Sequence, residues 1–181
     1  MAVNLPEQLR DDLDTRLDTV RRRVPVAWTR PATWHLTLMF LDDWPETRAQ
    51  ALPAALDAAV ADLAPVPLTL GRAGAFPDFR RPRVLFLHVD GGDPLGRLAD
   101  RVRRAVNHTW PDGPQDQRDF RPHLTLARIK TPLPADARGE LERLDAGAPE
   151  PFSATGVDLM ASELRPGGAR YRVRHRARLA G

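Results

Sequence analysis

Apolar residues recur at Leu9, Leu13, Leu17 and Val20 between Glu7 and Val24, the spacing of one helix face. Pro6 stands just ahead, where a proline starts a helix without costing an internal hydrogen bond. Val26 to Thr29 reads as a short strand. From Trp34 to Leu41 the period changes to two, with Trp34, Leu36, Leu38 and Phe40 on one face and His35 and Thr37 on the other. Trp44 to Leu63 is rich in alanine and leucine and reads as a helix, with Pro53 imposing a kink or a late start. Val66 to Leu70 and Arg83 to Asp90 read as strands, separated by a Gly/Pro-rich stretch from Gly71 to Pro82.

The order then repeats. Asp93 to Val106 has a helical period, Phe120 to Ile129 a strand period, and Ala135 to Leu144 reads as a short helix. Phe152 to Leu164 and Arg170 to Leu179 form a strand pair around the turn signal Arg165-Pro166-Gly167-Gly168. Two halves with the same order predict a single domain of duplicated lobes, roughly 1–90 and 91–181. The fold class is α+β: two pseudo-symmetric lobes, each an antiparallel-rich sheet with helices on its outer face. An active-site cleft lies between the lobes, which can exchange strands.

Composition narrows the chemistry. At 42% hydrophobic and 28% charged, the 181 residues suffice for a packed core under an ordinary soluble surface. No apolar run is long enough to span a membrane, and Met1 to Pro6 lacks the basic and apolar regions of a secretion signal. The absence of cysteine excludes disulfides, thiol nucleophiles and thiolate metal sites, and a cytoplasmic location is expected. Lys130 is the only lysine among 27 basic residues, a bias that fits codon composition, so each arginine is judged by its place.

The phrase His-Leu-Thr-Leu begins at His35 and again at His123, although the chain has only five histidines. On a strand, His35 and Thr37 project together, as do His123 and Thr125, each pair from the face that is not hydrophobic. Two imidazoles meeting in one cleft can serve as general base and general acid near neutral pH. Threonine hydroxyls between them suit the equivalent oxygens of a phosphate. Other chemistries have less support. The histidines show no metal-binding spacing, and the only serines, Ser153 and Ser162, lie outside any nucleophile elbow. Gly91-Gly92 and Gly167-Gly168 are isolated pairs rather than phosphate cradles. No metal and no cofactor is expected.

These residues resemble the two-histidine (2H) phosphoesterases, and within them the RNA 2',3'-cyclic phosphodiesterases first described as 2'-5' RNA ligases. The resemblance covers nearly the whole chain: Leu5-Pro6, "TWHLTLMFLDD" from Thr33, "GAFPDFRRPRVLFLHV" from Gly74, "FRPHLTLARI" from Phe120 and "LMASELRPGGARY" from Leu159. It implies metal-independent hydrolysis of a terminal 2',3'-cyclic phosphate to a 2'-phosphate. His35 takes the role of proton donor and His123 that of proton acceptor. Thr37, Thr125 and Arg128 hold the phosphate. Strand parity points Arg128 away from His123, so a bulge or a long reach is required. Members usually carry a longer hydrophobic strand before the Leu-Pro step. Here Met1 abuts Ala2-Val3-Asn4, so the first strand reads as clipped, through a misplaced start codon or because the strand is short, and no base contact is carried over from it.

Phe76, Arg80 and Arg81 are further candidates for substrate contact, in a segment that matches family sequence. Arg172, Arg174, Arg176 and Arg178 alternate on what reads as one face of a solvated edge strand. The four tryptophans read as packing residues. The partner implied is RNA with a 2',3'-cyclic phosphate end, tRNA fragments included, or a cyclic nucleotide; a monomer is expected, without a membrane partner. Alternatives are a non-catalytic RNA- or nucleotide-binding module, or the same chemistry on a small cyclic nucleotide or 2'-5' linked RNA, including the reverse ligation of tRNA halves.

Overall fold

The computed structural model describes residues 1–41, 44–113, 115–116, 118–146, 150–165 and 168–181. The helices are α1 (Glu7–Arg23), α2 (Glu46–Ala49), α3 (Leu52–Val60), α4 (Gly92–Thr109) and α5 (Ala135–Glu142). The strands are β1 (Ala2–Asn4), β2 (Ala27–Trp28), β3 (His35–Thr37), β4 (Val66–Phe76), β5 (Val84–Asp90), β6 (His123–Arg128), β7 (Phe152–Ala154), β8 (Gly156–Arg165) and β9 (Gly168–Arg178). Pro166 and Gly167 of the expected turn, and Asp42 and Asp43 beyond the first histidine motif, lie outside the described residues. Among the described residues no helix is long and apolar enough to cross a membrane.

Helix α1 buries the expected stripe of Leu9, Leu13, Leu17 and Val20, and α4 buries Leu95, Leu98, Ala99, Val102 and Val106. Each such leucine or valine contributes about 1.5–3 kcal/mol on burial, so packing on the sheet, more than helix propensity, holds these segments. The helix expected over 44–63 is two helices. Pro53 has no N–H, and its ring would clash with a helical carbonyl four residues earlier. So α2 stops at Ala49, and α3 starts with Pro53 in its first turn.

All strand pairings are antiparallel, in the order β7-β4-β5-β6-β3-β1-β8-β9, with β2 also on β6. This curled antiparallel sheet with its helices is the α+β class expected. The two sequence halves interleave in it: β4 and β5 lie beside β6, and β1 joins β3 to β8. The short β1 pairs on both sides, Ala2 with Thr37 and Ala2 with Asp158. Strand β4 runs to Phe76, well past the expected end at Leu70. Its glycines serve packing there: a Cβ on Gly74 would lie 2.5 Å from the Phe86 ring.

Register shifts interrupt the sheet in β4 between Leu70 and Ala73, in β6 and in β9, and the last two decide which side chains share the histidine face. Phe86 pairs with Thr125 but Leu85 pairs with Ala127, so Leu126 is an extra residue in β6. Leu159 pairs with His175 but Met160 pairs with Val173, so Arg174 is extra in β9. Both are β-bulges, and each inverts the alternation beyond it. The arginines of β9 therefore do not share one face. Arg176 lies opposite Asp158, with its Nε 3.3 Å from that carboxylate, whereas Arg174 forks onto Glu46 of α2 at 2.5 and 2.9 Å.

Candidate active site

Strands β3 and β6 are direct neighbours, with Leu36 paired to Leu124. Both leucines are buried, so the residues flanking them face the other way, and His35, Thr37, His123 and Thr125 occupy one surface. Antiparallel register sets His35 across from Thr125 and Thr37 across from His123, with the histidines on a diagonal. Strand spacing and the two-residue repeat place those histidine Cα atoms roughly 8 Å apart. Side chains projecting in parallel from these positions keep about that separation at their tips, close to the span of a phosphate held by hydrogen bonds of about 2.8 Å on each side.

Both rings are fixed in the same manner. His35 Nδ1 lies 2.8 Å from the Thr33 carbonyl, and His123 Nδ1 lies 2.6 Å from the Arg121 carbonyl. A carbonyl only accepts, so Nδ1 carries a proton in each ring and Nε2 is left for the shared surface. Burial pushes the His35 pKa below its ordinary value. The Thr33 carbonyl opposes this, and the Met1 ammonium and His123 add to the lowering. A bound anion opposes that lowering by favouring the imidazolium.

The bulge at Leu126 answers the parity problem of Arg128. Beyond it Ala127 points into the core, fully buried, and Arg128 turns onto the face of His123 and Thr125. The bulge in β9 does the same for Tyr171. Its ring meets His35 edge to face with centroids 4.8 Å apart. Tyr171 is absent from the candidates legible in the chain, because plain alternation in β9 puts it out of register with the site.

Two cavities flank the histidine pair. One, of about 430 Å³, lies against Asn4, Met160, Tyr171, Val173 and Arg176. Asn4 is the cross-strand partner of His35, and its amide donates to Asp158 at 2.6 Å. The other, of about 600 Å³, is aromatic, lined by Phe76, Phe79, Phe86, His88, Phe120 and His123. There Phe76 and Phe86 stack at 4.3 Å, and both rings edge onto His123 at 5.1 and 5.3 Å. His88, missed by sequence reading, is the register partner of His123. The expected contact Phe76 thus adjoins a histidine. Arg80 and Arg81 do not line this cavity; they are exposed at the hairpin tip, where their N–H groups donate to Asp78.

The tryptophans are packing elements. Trp34 is buried and Trp44 meets Trp110 edge to face at 5.2 Å. Phe40, expected on the apolar face of its strand, is 52% exposed instead, because β3 ends at Thr37. Among the described residues no three histidine, cysteine or carboxylate side chains gather closely enough to hold a metal ion.

Comparison with known proteins extends this picture to the whole chain. The family model described as the 2'-5' RNA ligase superfamily matches residues 9–165. The RNA 2',3'-cyclic phosphodiesterase of Thermus thermophilus is 35% identical, over 99% of this chain and 89% of that protein. The protein of the same name from Methanothermobacter thermautotrophicus is 29% identical, over 94% and 92%. Among solved structures, TT0787 of Thermus thermophilus superposes with a TM-score of 0.84 at 31% identity, covering 99% of this chain and 96% of that one. E. coli LigT has the same fold, with a TM-score of 0.75 at 23% identity, covering 99% and 95%. The resemblance carried by the two histidine motifs therefore holds along the chain, which belongs to the 2'-5' RNA ligase superfamily.

Proposed function

We propose that this protein hydrolyses the 2',3'-cyclic phosphodiester at an RNA end, leaving a 2'-phosphomonoester and a free 3'-hydroxyl. The observation that carries this reading is the diagonal pair of Nδ1-anchored imidazoles with a threonine across from each. In the step proposed, His123 Nε2 takes a proton from water as its oxygen attacks phosphorus. The P–O3' bond breaks on the opposite side, and His35 Nε2–H delivers its proton to the departing O3'. Thr37 and Thr125 donate to the non-bridging oxygens, and Arg128 balances the charge that develops there. The lowered pKa of His35 in the free enzyme means that the anion itself recruits the acid form. Substrate binding and activation of the donor are thereby coupled.

Two features favour RNA over a bare cyclic phosphate. The names of the relatives specify it for those proteins. The aromatic cavity beside His123 also supplies stacking surface for a base. The test is incubation with an oligonucleotide ending in a 2',3'-cyclic phosphate, with and without EDTA, followed by mapping of the phosphate. A 2'-phosphate formed equally in both arms is expected. A 3'-phosphate product, an EDTA-sensitive reaction, or binding without turnover would each refute the reading.

A further inference from the structure

The bulge that turns Arg128 leaves a carbonyl to satisfy. Leu126 is fully buried, and the extra residue of a bulge falls outside the strand ladder. Thr29 meets this need. Its N–H donates to the Leu126 carbonyl at 2.8 Å. Its hydroxyl lies 2.8 Å from that same oxygen and 3.0 Å from the Thr125 carbonyl, so its one proton is shared between them. The hydroxyl also accepts the indole N–H of Trp34 at 2.8 Å. Trp34 immediately precedes His35, and Thr125 is the hydroxyl across from His35. A single side chain therefore links the strand of one histidine to the irregular backbone that follows the other.

We propose that Thr29 is a positioning residue for the phosphate site, acting through the Leu126 bulge on Arg128. The proposal rests on the reading of Arg128 as a phosphate ligand. Regular pairing at Leu126 would turn Arg128 toward the core, where an unpaired guanidinium is costly. Without the hydroxyl the Leu126 carbonyl is held by the Thr29 N–H alone and the Trp34 indole N–H loses its acceptor, so the bulge loosens rather than flips, and Arg128 samples positions off the site.

The experiment compares Thr29→Val, Thr29→Ser and Arg128→Gln, alone and combined, by kcat/KM on cyclic-phosphate RNA and by NMR titration with inorganic phosphate. One hydrogen bond is worth a fall of about threefold to tenfold in Thr29→Val. Thr29→Ser restores the loss, and Thr29→Val adds nothing once Arg128 is glutamine. Should the valine variant not fold, Thr29→Cys nearly keeps the volume, weakens the side chain's hydrogen bonds to Leu126, Thr125 and Trp34 and carries the same comparison. Multiplying effects in the double variant, or unchanged kcat/KM and phosphate affinity in a folded Thr29 variant, would overturn the proposal. If the wild type leaves RNA untouched while Thr29→Val still weakens phosphate binding and serine restores it, the positioning role stands and the functional reading falls.

Discussion

His35 and His123 carry the same phrase and the same ring anchor but stand in different surroundings. His35 sits in a three-residue strand with its ring roughly perpendicular to Tyr171, next to Asn4 and a polar cavity. His123 opens a six-residue strand among phenylalanines, with His88 across from it and a bulge three residues on. Repetition of the motif fixes ring orientation, because each imidazole bonds the carbonyl two residues before it. Everything that can make one histidine an acid and the other a base comes from neighbours that the repeat does not specify.

Removing either histidine is the severest way to break the comparison. His35→Ala and His123→Ala should each lower turnover of cyclic-phosphate RNA by about 10²–10⁴. An aryl phosphodiester, whose leaving group needs no proton, should sharpen it. Such a substrate is expected to restore most of the activity of His35→Ala and none of that of His123→Ala. Restoration in the opposite variant would exchange the roles.

The aromatic side comes next in size. Base stacking is worth about 1–3 kcal/mol, so Phe76→Ala should raise KM for an oligonucleotide by about 5-fold to 150-fold. The same variant should leave a small aryl substrate nearly unaffected. Equal losses on both substrates would mean that Phe76 supports His123 and does not touch a base. Gly74→Ala is expected to be milder. Its Cβ would press on the Phe86 ring at 2.5 Å, and overpacking of this kind costs about 1–3 kcal/mol, seen as a lower melting temperature.

The smallest expected effect is one of pH. Burial holds the His35 pKa below its ordinary value, so the unfolded chain binds this proton more readily than the folded one. Stability from this group is complete above the unfolded pKa of about 6.5 and is lost as pH falls from there toward the folded value. Melting of the wild type should therefore drop more steeply below about pH 6.5 than melting of His35→Gln. Parallel curves would remove burial as the distinguishing feature of His35.

How far the site could be read from the chain depends on regularity. Where alternation and helical period run undisturbed, as in α1, α4, β3 and β6 up to Thr125, the pattern alone locates the buried and the chemical faces. It fails where a bulge adds one residue. Tyr171 and the split of the β9 arginines follow from the extra Arg174, and Arg128 depends on the extra Leu126. No local signal in composition marks either bulge, and the one at Leu126 is held by a partner distant in sequence, Thr29. The far end of β4 is hidden by a third bulge, between Leu70 and Ala73, and by its glycines. Glycines that make room for Phe86 and His88 look, in one dimension, like loop punctuation.

The place of β1 has a consequence for how the chain is made. Ala2 pairs with Asp158, a residue synthesised 156 positions later. At ribosomal speeds of about 5–20 residues per second, that first strand waits roughly 8–30 seconds with one edge unclaimed. Contacts of such reach slow folding, and an idle edge is open to foreign strands, so a nascent chain of this protein is most exposed to aggregation until its last hairpin emerges.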